Sequence, residues 1–152
     1  VVGNTDWTTG CILDTTTTLD GAEAGAFDQA ITKADPAMVM MSLATYQSID
    51  PNNPAVFSST IIDGHIRNAL KYTGVVISDS MSAEALSSYD VSQLGVKLVE
   101  AGGDMSCIGQ TDYVKPIVDG LNGRAKSDPA FASKVTAAAT RVMTLKIKMG
   151  LA

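Results

Sequence analysis

The 152-residue chain holds one histidine, one tryptophan and two cysteines, and only 5% of it is aromatic. Each shortage removes a class of function. Cys11 and Cys107 are too few for a disulfide scaffold and too far apart for a CxxC metal or redox motif. They are expected to be buried or half-buried thiols, with one disulfide between them as the alternative. So few aromatic rings offer no stacking platform for bases or long glycans. Basic residues number 11 against 16 acidic ones, for a formal charge of −5. There is no basic run or Lys/Arg stripe, so nucleic acid is not an expected partner and a small, neutral, polar ligand fits better. No apolar run is long enough to span a bilayer. The chain opens on Val1 without a signal-peptide pattern. Abundant Thr, Ser and Asn with few Lys point to an exported bacterial protein, with a cytoplasmic one as the alternative.

What is present has a globular balance: 45% hydrophobic and 18% charged residues, enough for one core. The first 25 residues, "VVGNTDWTTGCILDTTTTLDGAEAG", have no helical period and are rich in Thr, Gly and Asp. They read as a long loop, and a loop of that length in a compact domain is usually functional or disordered. A regular rhythm follows. A short helix is expected over 26–35 and a strand over 37–46. The next helix is capped by Ser58 or Ser59 and carries Ile62, Ile66, Ala69 and Leu70 on one face. A strand over 74–78 precedes a helix through Leu94, Leu98 and Val99. A strand over 103–109 and a helix near 113–121 come next. Asp128 and Pro129 form an N-cap and N1 pair that opens the last helix. Its stripe is Phe131, Val135, Ala138, Val142, Leu145 and Met149, and Gly150 can end it.

The strands are continuous apolar runs, as expected where both sheet faces are covered. They recur every ~30–36 residues, the spacing of βαβ units. The fold class is therefore α/β with a parallel sheet, either a barrel of such units or an open doubly wound sheet. Three strands would leave two raw edges, and a full (β/α)₈ barrel needs about 250 residues. The expectation is a single incomplete domain, 1–152: the C-terminal half of a barrel, with an active-site loop over 1–25 and the barrel half over 26–152. A missing N-terminal segment or a second copy would complete it.

One residue stands out. The strand "GVVISDSM" runs into Asp79 at its end, where parallel α/β folds place their chemistry. A carboxylate there can cap the next turn, bind a metal or act on a ligand. No His, Cys or acid cluster converges nearby to support a metal.

"GVVISDSM" resembles the segment of glycoside hydrolase family 3 that carries the catalytic aspartate, whose pattern is G-V-V/I-x-S/T-D. The segment "MVMMSLATYQSIDPNNPAVFSSTIIDGHIRNALKYTGVVISDS" is similar to that family's run from one strand to the next. "VEAGGDMSCIG" resembles its AGxDxxL strand, and "ATRVMTLKIKMGL" its closing helix. Together they cover nearly the whole chain in the right order. Within the family the chain looks most like the β-N-acetylhexosaminidase branch.

The resemblance implies a retaining hydrolase of terminal β-linked N-acetylhexosamine, with Asp79 as nucleophile. A carboxylate there lowers the energy of the cationic, oxocarbenium-like transition state. It calls for polar donors, and Ser78 and Ser80 are candidates. By the same resemblance the acid/base of this branch looks to be an Asp-x-His pair on a mobile loop. Asp6 falls at the Asp position, but Thr8 replaces the His, and a hydroxyl is no acid near neutral pH. Asp14 is the alternative acid. Trp7 and Tyr46 are candidate sugar contacts, and Asp50 lies just past the same strand as Tyr46. Arg67 matches a helical Arg and reads as structural, while Asp104 opens a strand at the far end. His65 reads as plain helical surface. The family's Lys-His-Phe-Pro-Gly-type motif would stand before Val1. No metal or organic cofactor is implied. The rivals are a non-catalytic sugar-binding or structural barrel module and a β-glucosidase-like member of the same family.

Overall fold

The computed structural model describes residues 3–152, so the first two residues of the expected loop lie outside it. In chain order the elements are β1 (Leu13–Asp14), α1 (Ala22–Ala34), β2 (Met38–Met41), β3 (Thr45–Tyr46), a π-helix (Thr60–Ala69), β4 (Val75–Ser80), α2 (Val91–Glu100), β5 (Met105–Cys107), α3 (Val114–Ser127) and α4 (Pro129–Lys148). Short 3-10 turns occupy Ala55–Phe57, Glu84–Leu86 and Thr111–Tyr113. β2, β4 and β5 form one parallel sheet in that order, and β1 pairs with β3 in a second, smaller parallel sheet.

Side chains alternate across the sheet. Met41 is buried and Val39 packs on the same core as Ile61, Ile62 and Ile66 of the π-helix and Leu94 and Leu98 of α2. Val76 of β4 belongs to that core as well. Fully burying one such side chain contributes about 1.5–3 kcal/mol. The other sheet face is uncovered at β2, where Met40 is 65% exposed. Met40 pairs with Ile77 and Ile77 with Met105, so these three share that face. α2 and α3 meet closely through glycine. A Cβ at Gly120 would stand 1.9 Å from the Ser92 carbonyl oxygen.

The N-terminal edge of the sheet is held by one carboxylate. Asp104 is wholly inaccessible at its side chain. Its oxygens accept from Val76 N–H at 2.8 Å, from Arg141 Nε at 2.8 Å and from Arg67. Arg67 also donates to the carbonyls of Tyr72 at 3.1 Å and Gly74 at 2.6 Å. Each charge is thus paired and hydrogen-bonded, the condition under which buried charges are tolerated. Arg67 is structural, as the sequence suggested, and Asp104, expected only to lie at the far end of a strand, is its partner there.

Several expectations need correction. The helix expected over 26–35 begins at Ala22, inside the stretch read as loop, and Leu13–Asp14 of that stretch form a strand. The strand expected over 37–46 breaks at Ser42, whose hydroxyl accepts the Ala44 N–H at 3.0 Å. The chain then leaves β2 and joins β1 as β3. The expected helix face of Ile62, Ile66, Ala69 and Leu70 assumed α-helical bonding. Bonds such as Gly64 N–H to Ser59 O and Leu70 N–H to His65 O span five residues. That wider turn buries Ile61 with Ile62 and Ile66 and leaves Ala69 exposed. His65 is not plain surface, because its Nε2 lies 2.8 Å from Asp28 Oδ1 and joins the π-helix to α1. Met149 is exposed rather than part of the α4 stripe, and both cysteines are exposed, unbridged thiols.

Candidate active site

Asp79 is the penultimate residue of β4, at the end of the sheet opposite the Asp104 cluster. It lies two residues beyond Ile77, in the stretch where the pairing of β4 with β5 shifts register between Ile77 and Ser80. Its side chain is half-buried, and Oδ1 accepts from the Ser80 N–H at 2.7 Å. Neither serine hydroxyl is bonded to it. Ser78 is fully buried and accepts from Cys107 N–H at 2.9 Å across the sheet. Ser80 Oγ bonds Ser82 Oγ at 3.1 Å, and Ser82 Oγ accepts from Gly109 N–H at 3.2 Å. These links tie the exits of β4 and β5 together.

Asp6 sits in a compact turn. Asn4 Oδ1 accepts from Asp6 N–H at 2.8 Å, and Asn4 O accepts from Trp7 and Thr8 N–H at 3.2 and 3.0 Å. The turn docks on the segment that follows β4. Ala85 N–H donates to Thr5 O at 3.0 Å, and Thr9 Oγ1 donates to Glu84 Oε1 at 2.9 Å. The folded chain therefore brings the turn bearing Asp6 to the loop that leaves Asp79. Asp6 is exposed, and Trp7 beside it is 81% exposed.

Tyr46 stands elsewhere at the strand ends. It lines a cavity of about 280 Å³ with Phe27, Ile31, Met40, Ile49 and Asp14, and Asp79 is not among the residues of its wall. Asp14 is buried and accepts from Thr17 N–H at 2.7 Å and Thr16 N–H at 3.0 Å. These donors, Thr17 foremost, lower its pKa to about 2. A carboxyl held ionised that firmly is poorly suited to donate a proton near neutrality, and Asp14 lies in the wall of the Tyr46 cavity, which does not include Asp79. Asp50 is likewise engaged, accepting from Asn52 N–H at 3.1 Å and from the Asn53 amide. Burial raises its pKa, but the Ser58 hydroxyl and the Asn53 donors outweigh that and the net shift is downward. Glu84 and Thr9 escaped the sequence reading. They lie 75 positions apart in unpatterned segments, and only the folded chain joins them.

The family model described as the glycosyl hydrolase family 3 N terminal domain matches residues 3–145. A β-N-acetylhexosaminidase from Beutenbergia cavernae is similar in structure, with 36% identity and a TM-score of 0.87 over 95% of this chain and 43% of that one. A glycoside hydrolase family 3 β-N-acetylglucosaminidase from Paenibacillus matches with 26% identity and a TM-score of 0.84, over 98% of this chain and 29% of that one. A secreted glycosyl hydrolase of Arthroderma benhamiae is 36% identical over 69 residues, 45% of this chain and 20% of that protein. The chain thus spans less than half the length of these relatives. Its parallel strands and intervening helices are those of a (β/α)₈-type barrel segment, which resolves the choice between a barrel and an open sheet. The chain belongs to glycosyl hydrolase family 3.

Proposed function

We propose that the chain is the nucleophile-bearing part of a retaining glycosidase acting on terminal β-linked N-acetylhexosamine. One observation carries the reading. Asp79 stands one residue from the C-terminal end of β4, and the turn bearing Asp6 is bound to the segment just after that strand. The hexosaminidase and glucosaminidase relatives supply the substrate class.

In this reading Asp79 attacks the anomeric carbon while Asp6 gives its proton to the departing glycosidic oxygen. A covalent glycosyl-enzyme forms. Asp6, now a carboxylate, takes a proton from water, and that water's oxygen displaces Asp79 with net retention. The Ser80 N–H holds one Asp79 oxygen and so aims the carboxylate. Trp7 offers an apolar wall beside Asp6, and Tyr46 a second contact further out. The route uses no metal or organic cofactor. The uncovered face around Met40 is taken to be completed by a preceding segment or by a second copy, and the 152-residue chain alone is taken to be inactive. The secreted relative supports export, and among the described residues no helix is long and apolar enough to cross a membrane.

Thr8, where the acid/base pair would carry a histidine, favours a second reading: a sugar-binding barrel that does not turn over. An aryl N-acetylglucosaminide offered to the full-length protein separates the two. The glycosidase reading expects turnover, and in Asp79→Ala a loss of at least about a thousandfold, in line with losses on removing a catalytic group. Saturable binding without turnover would support the second reading instead.

A further inference from the structure

We infer that Glu84 and Thr9 form a latch that positions Asp6 for proton transfer; the inference rests on the glycosidase reading above. Three observations carry it. First, the Thr9 hydroxyl donates to Glu84 Oε1 at 2.9 Å, a side-chain bond between residues far apart in sequence. Second, Ala85 N–H donates to Thr5 O at 3.0 Å, so the same segment is held on both sides of Asp6. Third, the turn between these anchors is internally bonded through Asn4, which receives the N–H groups of Asp6, Trp7 and Thr8.

The physical need for such a latch follows from Thr8. Where an aspartate acts with a histidine, the imidazole carries the proton and its neighbour orients it. Here Asp6 has no imidazole two residues on and must be placed by the backbone alone. A turn tied only through its own bonds would move as a unit, and misplacing a proton donor by about 1 Å can cost up to 10²-fold in rate. Glu84 belongs to the short turn Glu84–Leu86, whose Ala85 and Leu86 are buried, so that anchor is fixed to the core. The carboxylate acceptor makes the Thr9 bond charge-assisted and stronger than a neutral one. Glu84 is a positioning residue in this account. It touches the loop, and the loop holds the acid.

The test uses the full-length protein with Glu84→Ala, Thr9→Val and the double variant. Two aryl N-acetylglucosaminides are compared. One carries a dinitrophenyl leaving group that departs without protonation, the other an unactivated phenyl group that needs it. Each single variant is expected to lower kcat/KM about tenfold on the phenyl substrate and less than about twofold on the dinitrophenyl one. The double variant should lose no more than either single one, because both remove the same bond. Hydrogen exchange at the amides of residues 4–9 should quicken in all three. Equal losses on the two substrates, or none on either, would overturn the positioning role. Unchanged exchange would overturn the latch itself, whatever the kinetics. An Asp79→Ala protein as active as the parent would instead overturn the glycosidase reading and this inference with it.

Discussion

Replacing Asp104 by alanine removes the acceptor for three donors at once: Val76 N–H, Arg67 and Arg141. The side chain is fully inaccessible and that of Arg67 is only 12% exposed, so water cannot readily take over. Arg67 keeps its bonds to the Tyr72 and Gly74 carbonyls but loses its counter-charge. Breaking a buried ion pair from one side costs about 3–5 kcal/mol. That is a large part of a typical total of roughly 5–15 kcal/mol. At about 2–4 °C per kcal/mol for a domain of 150–250 residues, the midpoint should fall by about 6–20 °C. Asp104→Asn keeps an acceptor and should lose less. The assay is urea unfolding of the full-length protein with thermal melting beside it. Because the cluster lies at the sheet end away from Asp79, KM at low temperature should not move. A loss below about 1 kcal/mol would refute the claim that these charges are desolvated and mutually dependent. A changed KM with intact stability would refute the separation of the two sheet ends.

Two further outcomes follow from the same geometry. Gly120→Ala places a Cβ 1.9 Å from the Ser92 carbonyl oxygen, so α2 and α3 must separate; overpacking of this kind costs about 1–3 kcal/mol, readable as a shifted urea midpoint. Asp14 has its pKa lowered from 3.8 to about 2 in the fold, so its stabilising effect is complete above pH ~4 and is lost as pH falls through about 2. Asp14→Asn should therefore destabilise the protein at neutral pH and flatten that acid limb, and an unchanged stability profile between pH 5 and pH 2 would contradict the assignment.

Much of the scaffold was legible because it rests on strong local signals. The apolar runs of β2 and β4 read as parallel strands, as they are, and as covered on both faces, whereas β2 exposes Met38 and Met40. Asp128 does cap α4, accepting from Ala130 and Phe131 N–H. Gly150 follows the helix with φ of 71°. Asp79 was legible as a carboxylate at a strand's end, a position set by the strand and its turn alone. What escaped depends on distant partners or on unusual bonding. Nothing in "TIIDGHIRNA" signals five-residue hydrogen bonds, so of the expected face Ile62, Ile66 and Leu70 do meet the core, while Ala69 is exposed and the buried Ile61 was missed. His65 looked like surface because Asp28 sits on another helix. Ser78 looked like a donor to Asp79 because its hydroxyl's use across the sheet depends on β5. The Thr9–Glu84 bond follows no periodicity at all.

The central claim is that Asp79 becomes bonded to the sugar. Its most direct test treats the full-length protein with a slow-turnover fluorinated N-acetylglucosaminyl fluoride, then maps the labelled peptide by mass spectrometry. The account predicts one added glycosyl unit, carried by Asp79 within the peptide that contains Gly74 to Met81 and absent in Asp79→Ala. A label on any other residue, in a protein that turns the substrate over, would contradict it.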